Sequence, residues 1–288
     1  MRRLEGRVAV VTGAASGIGR ALSEALAAKG CALALVDVAE AGLAETSRRI
    51  AAAGGRSLTF VADVADRARM QRLPDEVVAR CGAVHILVNN AGVTVGATFA
   101  EQSLDDFDWI VGVNLWGVVH GCRFFLPHLA REDEAHIVNV SSMFGFLGFP
   151  GQASYCLTKA GVKALSEALW TELAHTGIGV TCVHPGGIAT NMIRAARIAD
   201  AAAKDKGAEQ IARFGHSPEK AARKIVRAIE ANRPRVRIGP EAYVLDWIKR
   251  LFPVGTHRLV TALYRRSAAA ARAREREAAA ARASRSES

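Results

Sequence analysis

The sequence predicts an α/β fold built on a doubly wound parallel sheet of about seven strands, with helices on both faces. Short apolar runs rich in β-branched residues alternate with helical patterns along most of the chain, as is typical of parallel strands joined by crossover helices. Half of the 288 residues are hydrophobic, which is enough to bury a large core. The predicted strands are residues 8–11, 32–37, 58–62, 84–88, 137–141 and 178–183, with a seventh at 235–238.

A glycine-rich turn follows the first predicted strand and leads into an amphipathic helix. Gly13, Gly17 and Gly19 have the spacing G-x-x-x-G-x-G, which differs from the usual dinucleotide motif G-x-G-x-x-G and from a P-loop. Glycine lets the backbone turn tightly against a pyrophosphate, and a helix N-terminus offers free N–H groups and the positive end of a dipole. The turn therefore predicts a dinucleotide site on a Rossmann-type sheet. Tight packing without a ligand is the alternative.

The second predicted strand ends at Asp37, close to the distance of about 20 residues at which dinucleotide-binding folds place an acidic side chain. A carboxylate at this position can accept hydrogen bonds from the adenosine ribose and repel a 2′-phosphate. The sequence therefore predicts that NAD is preferred over NADP. The alternative is that Asp37 only caps the loop after the strand.

Tyr155 and Lys159 lie four residues apart where a helix of about 157–175 is predicted to begin, and Ser142 follows the strand at 137–141. Positions four apart share one face of a helix. A fixed ammonium about 5 Å away, at an effective dielectric of about 20, lowers the pKa of a phenol by about two units, and burial opposes this. We therefore expect Tyr155 to act as a general acid or base. A surface lysine beside a half-buried tyrosine is the alternative.

These motifs resemble those of the short-chain dehydrogenase/reductase family, and the resemblance extends from residue 5 to about residue 245. They occur in the family's usual order along the chain. The four positions that resemble the catalytic tetrad are Asn114, Ser142, Tyr155 and Lys159. Besides the three glycines, Asp37, Tyr155 and Lys159, the positions that resemble cofactor contacts are Ser16, Ile18, Asp63, Val64, Asn90, Ala91, Gly92, Pro185, Gly186, Ile188 and Thr190.

The resemblance implies a role for each member of the tetrad. Tyr155 exchanges a proton with the substrate oxygen, while Lys159 lowers the pKa of the phenol and binds the nicotinamide ribose. Ser142 hydrogen-bonds the same oxygen as charge develops on it. Asn114, which is predicted inside a helix, anchors a water next to the lysine; an ordinary polar helix residue is the alternative. The hydride moves on the nicotinamide, and the protein contributes position and electrostatics.

The chain is predicted to form one dinucleotide-binding and catalytic domain over residues 1–248. Within it, residues 191–216 are long for a connection and are predicted to form a lid over the substrate. Ser217 is then expected to cap a helix that starts with Pro218.

A basic extension at residues 249–288 carries ten Lys/Arg against three Asp/Glu, and so most of the formal net charge of +10. Apolar and basic residues are mixed across 246–267, which predicts an amphipathic helix broken at Pro253. Such a helix suits a weak membrane-surface contact, a dimer clasp or a lid, and packing on the protein's own core is the alternative. The rest of the extension is predicted to be mobile or disordered. We expect no specific nucleic-acid binding, since a nucleic-acid interpretation would rest on this extension alone.

Several simpler features of the sequence limit the class of protein. No apolar run reaches the roughly 18 residues of a membrane span, and the first apolar run is too short for a signal peptide. The five cysteines are odd in number and lack a C-x-x-C spacing, which favours reduced core thiols. The eight histidines show no metal-ligand spacing. We therefore expect a cytoplasmic protein with no metal.

The sequence also bears on the substrate. Five apolar residues that follow Ser142 predict a hydrophobic mouth, with core packing as an equal alternative: Met143, Phe144, Phe146, Leu147 and Phe149. The leading hypothesis is an NAD(P)-dependent oxidoreductase of a hydrophobic secondary alcohol or ketone. The resemblance implies a homodimer or homotetramer, and the end of the domain is similar to members that act on lipid-like, retinoid or steroid carbonyls. A non-catalytic NAD(H)-binding scaffold or sensor is the runner-up.

Overall fold

The computed structural model describes residue 1 and residues 3–190, 192–193, 195–198 and 201–266. The chain divides into two compact units, one over Met1–Tyr243 and one that begins at Val244. The predicted boundaries of the catalytic domain and the extension stay a prediction.

The first unit alternates strands and helices. Its first half contains β1 (Val8–Thr12), α1 (Gly17–Ala27), β2 (Ala32–Asp37), α2 (Glu40–Ala52), β3 (Arg56–Val61), α3 (Arg67–Cys81), β4 (Ile86–Asn89), β5 (Val95–Gly96), α4 (Leu104–Val111) and α5 (Gly117–Leu129). The chain continues with β6 (Ala135–Val140), α6 (Ala153–Glu172), β7 (Ile178–Pro185), β8 (Arg197–Ile198), α7 (Ala201–Phe214), α8 (Pro218–Glu230), β9 (Arg235–Ile238) and α9 (Pro240–Leu251).

Seven strands form one parallel sheet in the order β3-β2-β1-β4-β6-β7-β9, which confirms the predicted fold class. The order reverses between β1 and β4, because the chain builds one half of the sheet outward from β1 before it crosses to the other side. Ligands of such sheets bind beyond the carboxyl ends of the strands at this reversal. A separate pair of short parallel strands, β5 and β8, was not predicted.

The observed strands differ from the predicted ones by a few residues at their ends. β3 begins at Arg56 rather than at 58, because Arg56 and Ser57 pair with β2 although they are polar or small. β6 likewise spans Ala135–Val140 rather than 137–141, and β4 spans Ile86–Asn89 rather than 84–88. Strand ends are set by the pairing partner, which apolar patterning alone does not specify.

Helices cover both faces of the sheet. Along β1, Val10 packs into a cluster with α3, α5 and α6, while Ala9 and Val11 pack into a second cluster with α1, α2 and α8. Alternate strand residues point to opposite faces, so a continuous apolar strand supplies both cores. The two clusters hold the sheet between two layers of helices.

The helical stretch Leu104–Leu129 is long and apolar enough to cross a membrane by length and composition alone. Its mean hydropathy is 1.3, and 44% of the relevant window is buried within the protein. Phe125 and Leu129 on this stretch are fully buried in the core cluster beneath β4 and β6. We therefore interpret it as a core helix of this domain.

The predicted lid at residues 191–216 is partly helical. α7 occupies Ala201–Phe214, and β8 precedes it. The helix after it is capped as predicted, since the Ser217 side chain accepts a hydrogen bond from the Lys220 amide at 3.3 Å. Whether residues 191–216 close over a substrate stays a prediction.

In the second unit, α9 ends at Leu251 and helical structure resumes over 253–266. The break at Phe252 therefore immediately precedes Pro253, where the sequence predicts it. Proline suits the first position of the new helix because it has no N–H to leave unpaired. The predicted mobile or disordered segment, 267–288, lies outside the described residues.

Candidate active site

A cleft of about 400 Å³ opens beyond the carboxyl ends of β1, β2, β4, β6 and β7. It brings together nearly all of the residues predicted as cofactor contacts, with Gly19 as the exception. Those that line it are Gly13, Ser16, Gly17, Ile18, Asp37, Asp63, Val64, Asn90, Ala91, Gly92, Tyr155, Lys159, Pro185, Gly186, Ile188 and Thr190. Ser142 lines it as well.

The glycine turn between β1 and α1 has the backbone that its sequence predicts. Gly13 and Gly17 have φ of +67° and +54°, in the left-handed region that favours glycine. Gly19 faces inward instead, and a Cβ there would collide with the Gly13 carbonyl oxygen. Gly19 is thus a packing glycine that lets α1 approach the turn.

The N-terminus of α1 faces this cleft. Ser16 precedes the helix in an extended conformation, and its side chain makes no capping hydrogen bond to the helix. The first N–H groups of a helix have no partner within it and carry a partial positive charge. The turn therefore fits a pyrophosphate group of a dinucleotide.

A second loop braces the glycine turn. The side chain of Asn90 donates to the Thr12 carbonyl oxygen at 2.9 Å, and the Thr12 hydroxyl accepts from the amides of Asn90 and Ala91 at 3.0 and 3.1 Å. These bonds join the loop after β4 to the end of β1. Thr12 directly precedes Gly13 of the glycine turn, and its bracing role depends on two segments that are distant in the chain.

Asp37 both lines the cleft and holds the loops around it. One carboxylate oxygen accepts from the Ala15 amide in the glycine turn, and the other accepts from the Ala39 amide, each at 3.0 Å. The capping alternative is therefore present, together with a position open to the cleft. Asp63 makes a similar local bond to the Ala65 amide at 2.9 Å.

Tyr155, Ser142 and Lys159 converge at the inner end of the cleft. α6 begins at Ala153, earlier than predicted, so Tyr155 lies in its first turn and Lys159 one turn later. The Lys159 Nζ lies 5.7 Å from the centre of the Tyr155 ring and donates to the Val140 carbonyl oxygen at 3.0 Å. The Ser142 side chain lies close enough to the phenol to affect its pKa, and its predicted bond to the substrate oxygen stays a prediction.

The pKa values at this site differ from the sequence-based expectation. Burial raises the pKa of Tyr155 to about 12, and the hydrogen bond from Ser142 lowers it only in part. Burial also lowers the pKa of Lys159 to about 8. The expectation of a lowered phenol pKa is therefore wrong for the free protein, because burial disfavours the phenolate more than its neighbours stabilise it.

Asn114 lies behind the cleft rather than in it. It is fully buried in a π-helical turn, Gly112–Trp116, between α4 and α5. Its side chain accepts from the Val93 amide at 2.8 Å and donates to the Val93 carbonyl oxygen at 2.9 Å. A Cβ on Gly92 would lie 3.3 Å from the Asn114 Oδ1 and 3.4 Å from the Lys159 Nζ, so both polar groups back this loop. The predicted water-anchoring role stays a prediction.

Glu241 is a residue of the site that the sequence analysis missed. Its carboxylate accepts from the Gly187 amide at 3.0 Å and lies 3.1 Å from the His216 Nε2. Burial raises its pKa, but the bonds from His216 and Gly187 outweigh burial, and the pKa is lowered. Glu241 supports the turn after Pro185. The signal in the sequence was an acidic residue in the first turn of the helix after the last strand.

The apolar residues around the reacting end are only partly those predicted, and the five predicted residues mostly follow the core-packing alternative. Phe144 stacks on Phe149 with ring centres 5.0 Å apart and contacts the edge of Tyr155 at 6.3 Å, whereas Phe146 packs on His184 at 4.4 Å. None of the five predicted mouth residues lines the cleft in the described part of the chain. Its apolar wall comes from other elements: Val93, Trp109, Val113, Met192 and Ala195.

β8 is tied to this wall. The Arg197 guanidinium lies 3.9 Å from the centre of the Trp109 ring and forms an ion pair with Asp106 at 2.8 Å. These contacts hold the segment after β7 against α4. They close one side of the cleft around an apolar surface.

One group outside the cleft has metal-ligating residue types. Ligand atoms of His85, Glu132 and Asp133 lie within 4.8 Å of one another. However, Asp133 is paired with the Arg7 guanidinium, and the His85 Nδ1 accepts from the Val8 amide at 3.1 Å. The group is therefore satisfied by protein contacts, and the expectation of no metal stays a prediction.

A parallel sheet with a glycine turn, an acidic residue at the end of β2 and a buried Ser-Tyr-Lys group is typical of dinucleotide-dependent oxidoreductases. Comparison with known proteins supports this class. The family model described as short chain dehydrogenase matches residues 7–201. The chain therefore belongs to the short-chain dehydrogenase/reductase family, and it is an oxidoreductase of that family.

Individual relatives agree. A Mycobacterium tuberculosis protein that bears the name oxidoreductase SadH is 42% identical over 266 residues, covering 91% of this chain and 96% of that protein. A short-chain dehydrogenase/reductase from Burkholderia phymatum in complex with NAD superposes with a TM-score of 0.82 at 33% identity, covering 87% of this chain and 95% of that one. A short-chain dehydrogenase from Burkholderia cenocepacia in complex with NADP has a TM-score of 0.74 at 28% identity, covering 84% and 99%.

The buried ammonium generates a stability prediction. The lysine pKa is about 10.4 in an unfolded chain and about 8 in the folded protein. Between these two pKa values the folded state therefore binds fewer protons than the unfolded state. Below about pH 8 the lysine is charged in both states, so the full cost of burying the charge destabilises the folded protein. Lys159→Met should raise the free energy of unfolding at pH 7 by about 1–3 kcal/mol. This gain is smaller than the full cost of burying the charge, because the variant also loses the hydrogen bond to Val140.

The measurement is denaturant unfolding from pH 7 to 9.5. The difference between Lys159→Met and the wild type should shrink as the pH rises above 8. Lys163→Met is a matched control on the same helix, because Lys163 forms only an exposed pair with Glu167. A pH-independent difference for Lys159→Met would contradict the prediction.

Proposed function

We propose that the protein interconverts a hydrophobic secondary alcohol and the corresponding ketone, with NAD preferred over NADP. The observation that carries this proposal is the convergence of Ser142, Tyr155 and Lys159 at the inner end of a dinucleotide-shaped cleft. The apolar wall beside Tyr155 supports a hydrophobic substrate. We further propose a homodimer or homotetramer located in the cytoplasm.

The residues present fit a nicotinamide dinucleotide. The glycine turn and the N-terminus of α1 would hold the pyrophosphate, Asp37 the adenosine ribose, and Asp63 with Val64 the adenine. Lys159 would donate to the other ribose. When bound, such a cofactor supplies the hydride acceptor or donor that no protein side chain provides.

Tyr155 is the proposed proton donor and acceptor. With its pKa at about 12, the phenol is protonated at neutral pH and can donate to a ketone oxygen. Ser142 would hydrogen-bond the same oxygen as negative charge develops there. Lys159, with a pKa of about 8, keeps its charge at pH 7 and favours the phenolate that remains after the proton has left.

The substrate class rests on the wall of the cleft. Trp109, Val113 and Met192 give this wall an apolar surface. The nearby Arg197 guanidinium stacks on Trp109 and pairs with Asp106, so it does not present an unpaired charge to the cleft. A polar or charged substrate would lose hydration here without a matching partner. Aliphatic, aromatic and steroidal alcohols or ketones are therefore the first compounds to test.

The direct experiment incubates the protein with NAD⁺ or NADP⁺ and a panel of such alcohols, and follows the absorbance of the reduced nicotinamide. Turnover of apolar secondary alcohols, at higher kcat/KM than for short polar ones, is expected. Cofactor binding without turnover of any alcohol or ketone in either direction would instead favour the scaffold or sensor.

Removal of the phenol oxygen should separate chemistry from binding. Tyr155→Phe should lower kcat by about 10²–10⁴-fold, because general acid–base catalysis contributes about this much. The dissociation constant of NADH, measured by fluorescence titration, should stay unchanged. Tyr243→Phe is a matched control, since Tyr243 lies outside the residues that line the cleft. An active Tyr155→Phe variant would refute the assigned role.

Asp37 is predicted to set the cofactor preference. Asp37→Asn removes the negative charge but keeps an oxygen that can accept from the Ala15 or Ala39 amide. The ratio of the NADP⁺ to NAD⁺ dissociation constants should therefore fall by about tenfold, a modest electrostatic effect of about 1.4 kcal/mol. Asp66→Asn, at the cap of α3, serves as the control. An unchanged ratio would show that the Asp37 carboxylate does not act on the 2′-phosphate.

A further inference from the structure

The unit that begins at Val244 exposes a stripe of apolar side chains on α9. Val244, Trp247 and Leu251 are 55%, 57% and 64% exposed. Their spacing of three and then four residues places them on one face of the helix. Apolar residues on one face usually pack against a core, but this stripe faces solvent.

The helix at 253–266 repeats this pattern. Leu259 and Leu263, four residues apart, are 54% and 56% exposed. Phe252, at the junction of the two helices, is 62% exposed. Arg258 and Arg265 are seven residues apart, so they lie on a different side of this helix from the two leucines. The helix is therefore amphipathic, and both its apolar and its basic side chains are exposed.

The charges of residues 244–266 are mostly positive. Five basic residues stand in 244–266: Lys249, Arg250, Arg258, Arg265 and Arg266. The one carboxylate in this range, Asp246, is 3% exposed and accepts from the Arg250 Nε at 3.1 Å. The surface around the apolar stripe is thus cationic.

We propose that residues 244–266 form a docking face for the surface of an anionic lipid bilayer. The apolar side chains would enter the boundary between headgroups and acyl chains, as they do in interfacial helices. The basic side chains would contact the lipid phosphates, and the indole of Trp247 suits the interface between water and hydrocarbon. This proposal does not depend on the proposed substrate.

A second copy of the chain fits this docking face less well. A two-fold interface places a patch against itself, so it would bring the five cations of one copy close to those of the other. The exposed carboxylates that would neutralise them do not occur in 244–266. A nucleic acid would satisfy the cations but would leave the Trp247 and Leu251 stripe in water. An anionic bilayer complements both features at once.

The test is co-sedimentation of the full chain with vesicles of phosphatidylcholine alone, or of phosphatidylcholine mixed with phosphatidylglycerol. We expect binding to the anionic vesicles that weakens as salt increases. Each basic residue near such a surface contributes about fivefold in affinity. Arg258→Glu with Arg265→Glu should therefore weaken binding by about 30-fold or more, and Trp247→Ser with Leu263→Ser by about tenfold or more.

Matched controls change the same residue types elsewhere. Arg72→Glu with Arg131→Glu alters the net charge equally, and Trp170→Ser with Leu104→Ser removes exposed apolar side chains from the first unit. Both controls should bind as the wild type does. Equal binding to neutral and anionic vesicles, or equal weakening by the controls, would overturn the proposal.

Two further results would overturn it in favour of another partner. The first is absence of vesicle binding together with dissociation of an oligomer in the Trp247→Ser, Leu263→Ser variant, measured by light scattering. The second is absence of vesicle binding together with salt-sensitive binding to a DNA duplex. Loss of dehydrogenase activity plays no part in these readouts, so failure here is distinguishable from failure of the proposed function.

Discussion

A buried ammonium at Lys159 is the constraint on which the candidate active site depends. The charge lies between the end of β6, where Val140 accepts its hydrogen bond, and the first turns of α6, where Tyr155 is held. Burial costs enough to lower the pKa of the lysine to about 8. A fold that keeps such a charge sacrifices stability for a preorganised electrostatic field, which is typical of active sites.

The cleft is built from loops that side chains hold in place. Thr12 and Asn90 join the loops after β1 and β4, Asn114 holds the loop at Val93, and Glu241 supports the turn at Gly187. Each bond satisfies a backbone group that would otherwise be unpaired at the edge of the sheet. The strands position the loops coarsely, and these polar contacts fix the loops around the cleft.

The residues that line the candidate active site and most of the net positive charge lie in different parts of the chain. The residues that line the cleft end at Ala195, whereas most of the net positive charge lies beyond residue 248. The groups proposed for chemistry and the charges proposed for membrane contact therefore lie in different parts of the sequence.

The sequence by itself determined the seven strands, the glycine turn and the members of the Ser-Tyr-Lys group, because β-branched runs, glycines and helical spacing act locally. The tertiary structure decided what depends on distant segments. It lined the cleft with Trp109 and Met192, which pack with Phe144 of the expected aromatic mouth, and it brought Glu241 to the turn at Gly187. It also reversed the expected shift in the pKa of Tyr155, because burial is a property of the whole packed core and not of a helical spacing.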